Sequence, residues 1–465
     1  MADSIANQKN EKMATMPLGR LLFQLALPAV VAQIVNFLYN IVDRIFIGHI
    51  PEIGALALTG AGLFVPILQL ITAFACLVCT GGAPYVGIML GKGDREQAEK
   101  VLGNCFSAIL LISLMLTTAL YMAAPSLLRF FGASEETIGY ALQYARIYII
   151  GTPVVMITSG MNYFISAQGF ATTAMLSTMI GAGLNILLDP ILIFSAGMGA
   201  AGAAIATDLS QCVSAVWVLA FLFGRKTTIR IRWEKLRLDR SILLPVLGLG
   251  LSTFVMMSTE SLLSICFNHS LAKYGGDLAV GAMTIITSIN SLISFPLHGL
   301  NQGGTPIISY NYGAGNRDRV WGTFYRLLGA AFVYSVSFWL LTQFCGRQLA
   351  GIFTTDVTLQ DYAARCMRIY FAVTFSWAFQ TTCQQSFVAL GQAKISLFMA
   401  CLRKLILLIP LILILPVFFE DKVFAVFVAE PISDAIAAAV TTGCFFWKIR
   451  RLLPLTDKAR EEKST

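Results

Sequence analysis

The sequence predicts an all-α membrane protein with twelve transmembrane helices in two parallel-repeat six-helix lobes. Three observations carry this. The 465 residues are 57% hydrophobic and only 12% charged, with a mean hydropathy of +0.73. A soluble fold carries about 25% charged residues, so too few polar side chains exist here to wet a soluble surface. Apolar stretches near the length of a membrane span recur along the chain. The second half also repeats the first at a constant offset of 222 residues.

The apolar segments fall at 21–47, 56–80, 101–123, 139–163, 174–195, 201–223, 244–270, 277–299, 323–345, 363–388, 396–418 and 424–447. Backbone groups in lipid must be satisfied within the segment, so each is expected to be helical. Segments on the amino-terminal side of the membrane (1–20, 91–100, 224–241, 313–326, 391–404, 447–465) hold 25 Lys/Arg. The opposite connections hold four: Arg129, Lys273, Arg347 and Lys422. That alternation places both termini in the cytoplasm of a bacterial-type inner membrane. The expected layout is a cytoplasmic segment 1–19, a lobe 20–223, a basic linker 224–241, a lobe 242–447 and a tail 448–465. Alone, the linker could suggest RNA binding. Between two spans it predicts contact with anionic lipid and no nucleic acid.

The repeat is read residue by residue. GGAPYVGIMLGKGDR (81–95) recurs as GGTPIISYNYGAGNR (303–317). Gly54, Leu56 and Ala57 match Gly276, Leu278 and Ala279, and Tyr140, Arg146, Ile147, Tyr148 and Gly169 match Tyr362, Arg368, Ile369, Tyr370 and Gly391. Each half has an even number of spans, so the halves are parallel repeats. Parallel repeats about an axis along the membrane normal are a transporter arrangement, with the path between the halves.

Each half serves as a control for the other. Asp43 corresponds to Ile265, Asn185 to Leu407, Asp189 to Leu411 and Thr207 to Ala429. The fold therefore accepts apolar residues where the first half carries two carboxylates, an amide and a hydroxyl. Asn185 and Asp189 are four apart and share a helix face. Gln33, Asn36, Asn40 and Asp43 form one polar stripe on the first span. Ionisable groups inside a span are costly and mark ion paths or proton relays. Two carboxylates close together in a low dielectric cannot easily both stay charged, so the pair is expected to hold H+ or Na+. Pro28 and Pro190 are expected to kink their helices and couple ion binding to opening.

Other polar groups read differently. Asp208 corresponds to Glu430, so acidity there suggests a role shared by both halves. Glu260 replaces Leu38 and follows Met256 by one turn, a pairing suited to a cationic amphiphile. Gln380 and Gln384, four apart on the tenth span, are a further pathway candidate. The ten cysteines lie mostly in apolar runs, where a thiol acts as a small hydrophobe, and three scattered histidines predict no metal site. GMGAAG (197–202) lacks a βαβ context. GIMLGKG (87–93) is one residue short of a Walker A loop and lacks its Ser/Thr. An enzyme is not expected, nor any cofactor beyond the coupling ion.

On these features the sequence resembles the multidrug and toxic compound extrusion (MATE) family over about 18–450. The carriers are the twelve-span duplication, the Pro84/Gly91/Arg95 and Pro306/Gly313/Arg317 blocks, NFLYNIVDRIFIG (36–48), NILLDP (185–190) and GAAGAAIATDLS (199–210). The resemblance implies an antiporter that expels organic cations in exchange for H+ or Na+ by rocking two lobes. It implies a cation site on an aspartate of the first helix, Asn and Asp four apart on the fifth and a threonine on the sixth. Those positions are Asp43, Asn185, Asp189 and Thr207, the four the internal comparison selects, with Asn40 beside them. Another branch uses carboxylates of the seventh and tenth helices. Glu260 could match the first, but the tenth offers Gln380, Gln384 and Gln385 instead, which argues against a second ion site. A flippase for lipid-linked precursors is the alternative. It should line its cleft with Arg/Lys, and the spans hold few: Arg44, Arg146, Arg365 and Arg368. Small amphiphilic cations are thus the expected cargo, and a monomer in the lipid bilayer the expected form.

Overall fold

A computed structural model describes residues 11–452. Among the described residues the chain is helical, without strands. Twelve spanning elements follow the apolar segments. They are α1 (Leu18–Gly48), α2 (Gly54–Gly91), α3 (Arg95–Phe130), α4 (Ile138–Ile150 and Thr152–Ala167), α5 (Ala171–Pro190, continued by Ile191–Ser195) and α6 (Gly199–Phe223) in the first lobe. The second lobe holds α7 and α8 within Arg240–Gly313, then α9 (Arg317–Phe344) and α10 (Val357–Tyr370, Thr374–Ser376 and Trp377–Ala389). Its last two are α11 (Ala393–Cys401, Leu402–Leu408 and Ile409–Phe418) and α12 (Lys422–Leu452). The expected terminal segments 1–19 and 448–465 lie partly outside the described residues, and α12 runs past 447 to Leu452.

The breaks have local causes. Arg240–Gly313 is 74 residues long, and an unbroken helix of that length would extend about 110 Å against a hydrocarbon core of about 30 Å. It folds back at Gly276, whose φ of 62° and ψ of −160° suit glycine. Gly54, its repeat partner, opens α2 after the equivalent turn. α4 bends by 55° at Gly151. In α5 the regular ladder gives way immediately after Pro190 to a wider π-turn, in which Ala196 N–H donates to Ile191 O at 2.8 Å. A second π-turn, Leu402–Leu408, interrupts α11 just ahead of Pro410. Asp94, Asp239 and Asp356 cap α3, α7 and α10 through their carboxylates.

The lobes meet through small residues on the side of the basic connections. A side chain on Gly87 would strike Ser309, one on Gly91 would strike Tyr310, and one on Gly313 would strike Ile88, so α2 and α8 cross backbone to backbone. Gly81 and Gly250 do the same for α2 and α7, and Gly299 and Gly303 press on Val30 and Ala26 of α1. Without a hydrophobic force between helices in lipid, such close van der Waals approach supplies the association. Farther along the seam, Gln33 donates to Gln302 at 3.1 Å, Phe37 meets Phe295 and Phe74 meets Phe254.

The linker 224–241, expected to face anionic lipid, keeps Arg225, Lys226, Arg237 and Arg240 exposed but is also pinned to the first lobe. Glu99, almost fully buried on α3, holds Arg232 and Lys235, each at 2.9 Å. Gln168 Oε1 accepts from Thr227 and Ile229, Asn104 from Asp239 N–H, and Ser107 donates to Leu236 O. Polar groups of the first lobe thus bind the linker to it.

Candidate cation site in the first lobe

The first lobe gathers polar groups from three helices. On α5, Asn185 and Asp189 stand one turn apart, and Asn185 Nδ2 donates to Asp189 Oδ1 at 3.2 Å. The same amide donates to Thr207 Oγ1 of α6 at 3.3 Å, and that hydroxyl donates to Ala203 O at 3.1 Å. All three residues are buried, Asp189 completely. Asp43 of α1 faces them and feels the charge of Asp189. Phe46 and Phe194 stack edge-on just beyond and fix α1 against α5.

These groups leave acceptors without donors. Asp43 Oδ1, Asn185 Oδ1 and Asp189 Oδ2 are buried and unpartnered. A buried carboxylate oxygen with no donor is costly. Such a set suits a proton or a small hard cation, because oxygen ligands are what Na+ takes. Arg44, next in sequence to Asp43, is exposed and leaves Asp43 Oδ1 unpaired, as expected for neighbours on different helix faces.

The other expected members sit apart. Asn40 is exposed and donates to Asn36 O at 2.6 Å, so it lies at the rim and not in the cluster. Pro28 does not interrupt α1. It lies between Ala26 and Val30, where α8 presses on α1, far along the helix from Asp43. Pro190 directly follows Asp189 and starts the π-turn. Sequence reasoning missed Tyr39, Tyr144 and Tyr148, whose hydroxyls lie within the field of Asp43. It also placed Asp208 with Glu430. Asp208 packs against Gly151 with Oδ1 unpartnered, whereas Glu430 pairs with Arg403 at 3.2 Å. The two acids share a repeat position but not an environment.

The second lobe corrects the charge reading further. Arg403 and Lys404, counted as connecting-loop cations, lie inside α11. Arg403 holds Asp434 at 2.6 Å and Glu430, and stacks over the Trp377 ring at 5.5 Å from its centroid. Trp377 also donates to Asp434. Lys404 pairs with Glu260 and donates to Met256 O at 3.0 Å. So Glu260 is not the free carboxylate the sequence suggested. The signal was available: Arg403, Lys404 and Asp434 correspond to Gly181, Ala182 and Cys212.

The two halves therefore treat buried acid differently. The second supplies a guanidinium and an ammonium to its acids and leaves Glu430 Oε2 open, whereas in the first Asp43, Asp189 and Asp208 each keep an open oxygen and no ion pair is seen for them among the described residues.

Comparison with known proteins agrees with this architecture. The family profile described as MatE matches residues 28–191 and 253–414, one stretch in each lobe. A multidrug export protein MepA of Staphylococcus aureus (strain N315) is 22% identical over 427 residues, covering 91% of this chain and 93% of that protein. A crystal structure of a MATE in the bent conformation superposes with a TM-score of 0.89 at 24% identity, over 96% of this chain and 98% of the other. An outward-facing multidrug resistance MATE family transporter gives the same TM-score, identity and coverage. The chain is a membrane transporter, not an enzyme, and it belongs to the MatE family.

Proposed function

We propose that the chain is a secondary antiporter that exports small amphiphilic organic cations in exchange for H+ or Na+ taken up at Asp43, Asn185, Asp189 and Thr207. The observation that carries this is the unequal treatment of buried acid. Homologous lobes fold with or without these carboxylates, and Asp43 Oδ1 and Asp189 Oδ2 stand open with no cation paired to either acid, whereas Glu430, the one second-lobe acid with an open oxygen among the described residues, is paired with Arg403. A cation that visits and leaves accounts for that asymmetry.

Antiport follows if the ion and the cargo favour different arrangements of the lobes. Seam contacts of backbone against glycine break as rigid surfaces, which supports rocking of two lobes. The glycine crossings lie on the side of the basic connections, which the positive-inside rule reads as cytoplasmic, and this supports a seam that opens alternately to either side. The multidrug export names of the relatives support organic cargo over a lipid-linked precursor. The test is efflux of a fluorescent organic cation from proteoliposomes under separately imposed pH and Na+ gradients. One gradient should drive export by the wild type, and Asp43→Asn and Asp189→Asn should each abolish that dependence. Normal export by both variants under every gradient would remove the coupling assignment.

A further inference from the structure

The second lobe carries a charge arrangement that the ion site does not use. Five ionisable groups meet there: Arg403 and Lys404 from α11, Glu260 from α7, and Glu430 and Asp434 from α12. Their formal sum is one negative charge. The two cations are held very differently. Arg403 has two carboxylate partners and an indole face, and its side chain is only 13% exposed. Lys404 is more deeply buried, yet its one carboxylate partner, Glu260, is 56% exposed.

Glu260 lies on the seam between the lobes. One residue on, Ser261 donates to Gln69 of α2 at 2.8 Å, and nearly two turns back Phe254 meets Phe74 edge-on. A hydrogen-bonded chain leads inward: Met256 O accepts from Lys404, Met256 Sδ accepts from Gln384 at 3.0 Å, and Gln384 Oε1 accepts from Gln380 at 2.7 Å. The chain ends on a buried acceptor with no donor, Gln380 Oε1. Glu430 Oε2 is likewise buried and unpartnered, and Glu430 lies within the field of Lys404.

We propose that Glu260 is the docking carboxylate for an organic-cation cargo and that Lys404 is its tethered stand-in. When cargo arrives, its positive group takes Glu260. The Lys404 ammonium keeps Met256 O and turns to the open oxygen of Glu430. The swap leaves no acid or ammonium unpaired, so it avoids the cost of a buried unpaired charge. The cargo's apolar body meets Met256 and Met257, whose unbranched thioethers adapt to varied shapes. Methylated or aromatic ammonium compounds fit this chemistry, and anions do not. The inference rests on the proposed export of organic cations and assigns where they bind.

Ethidium binding to the purified full chain in nanodiscs, read by fluorescence polarisation, tests it. Lys404→Met removes the competitor and leaves the half-exposed Glu260 carboxylate to the ligand, so ethidium should bind about tenfold more tightly. Glu260→Gln should weaken binding about tenfold, and the double variant should match Glu260→Gln. Lys404→Arg, which keeps a tethered cation, should stay near wild type and guards against misfolding of the methionine variant. Unchanged or weaker binding in a folded Lys404→Met protein overturns the proposal, as does normal binding in Glu260→Gln. Failure of the wild type to bind or export ethidium or any other organic cation would instead overturn the proposed function itself.

Discussion

Asp189 and Thr207 separate charge from geometry at a single site. Thr207 contributes one hydroxyl that accepts from Asn185 at 3.3 Å. A hydrogen bond of this kind is worth about 1 kcal/mol net. Thr207→Ala should therefore lower the apparent affinity for the coupling ion by about fivefold and leave maximal export nearly intact. Asp189→Asn keeps the shape but removes the charge, and should abolish ion-dependent export. Titrating export rate against the driving ion distinguishes the two, and equal losses would mean that the cluster is only structural. The sequence exposed these residues because the other half carries Leu411 and Ala429 in their places. It did not expose Tyr39, Tyr144 and Tyr148, because tyrosines on apolar helices look the same whether they pack against lipid or surround an acid.

At the scale of elements, the linker 224–241 behaves as part of the first lobe. Glu99 anchors it through Arg232 and Lys235 while remaining only 3% exposed at its side chain. Glu99→Gln leaves the partly buried Lys235 ammonium without its anionic partner. The cost should be about 2 kcal/mol, below that of a fully buried pair because Arg232 is half-exposed. A melting temperature lowered by a few degrees in detergent, with export retained, is the expected outcome; an unchanged melt would show that the contacts of Gln168, Asn104 and Ser107 suffice to hold the linker. Composition could place the linker but not its anchor, since seven basic residues in a connection read alike whether they face lipid or a single acid. α11 misled for a related reason. Its charged pair stands near a connection, where basic residues usually face the cytoplasm, but lies within the π-turn over Leu402–Leu408 and pairs with acids of α7 and α12.

For the whole molecule, the proposed rocking depends on how closely the two lobes can meet and part. Gly303 touches Ala26 of α1, whereas Gly329 on α9 has open space around it. Gly303→Leu should hold the seam apart and reduce export at least tenfold, while Gly329→Leu should export normally; the vesicle rates of the two variants check this, and equal rates would separate the seam from transport. The twelve spans and the two lobes were legible because hydropathy and a constant 222-residue offset are properties of the chain itself. The seam was not, because a glycine that meets another helix and one that meets lipid are spelled the same.

In the proposed cycle the first-lobe carboxylates hold an exchangeable cation, whereas the second lobe's cations, Arg403 and Lys404, are tethered side chains. Counting the H+ or Na+ released when an organic cation binds the purified protein separates the two. The wild type should release about one ion per cargo bound and Asp189→Asn none, with cargo still bound. Equal release from both proteins would contradict that cycle.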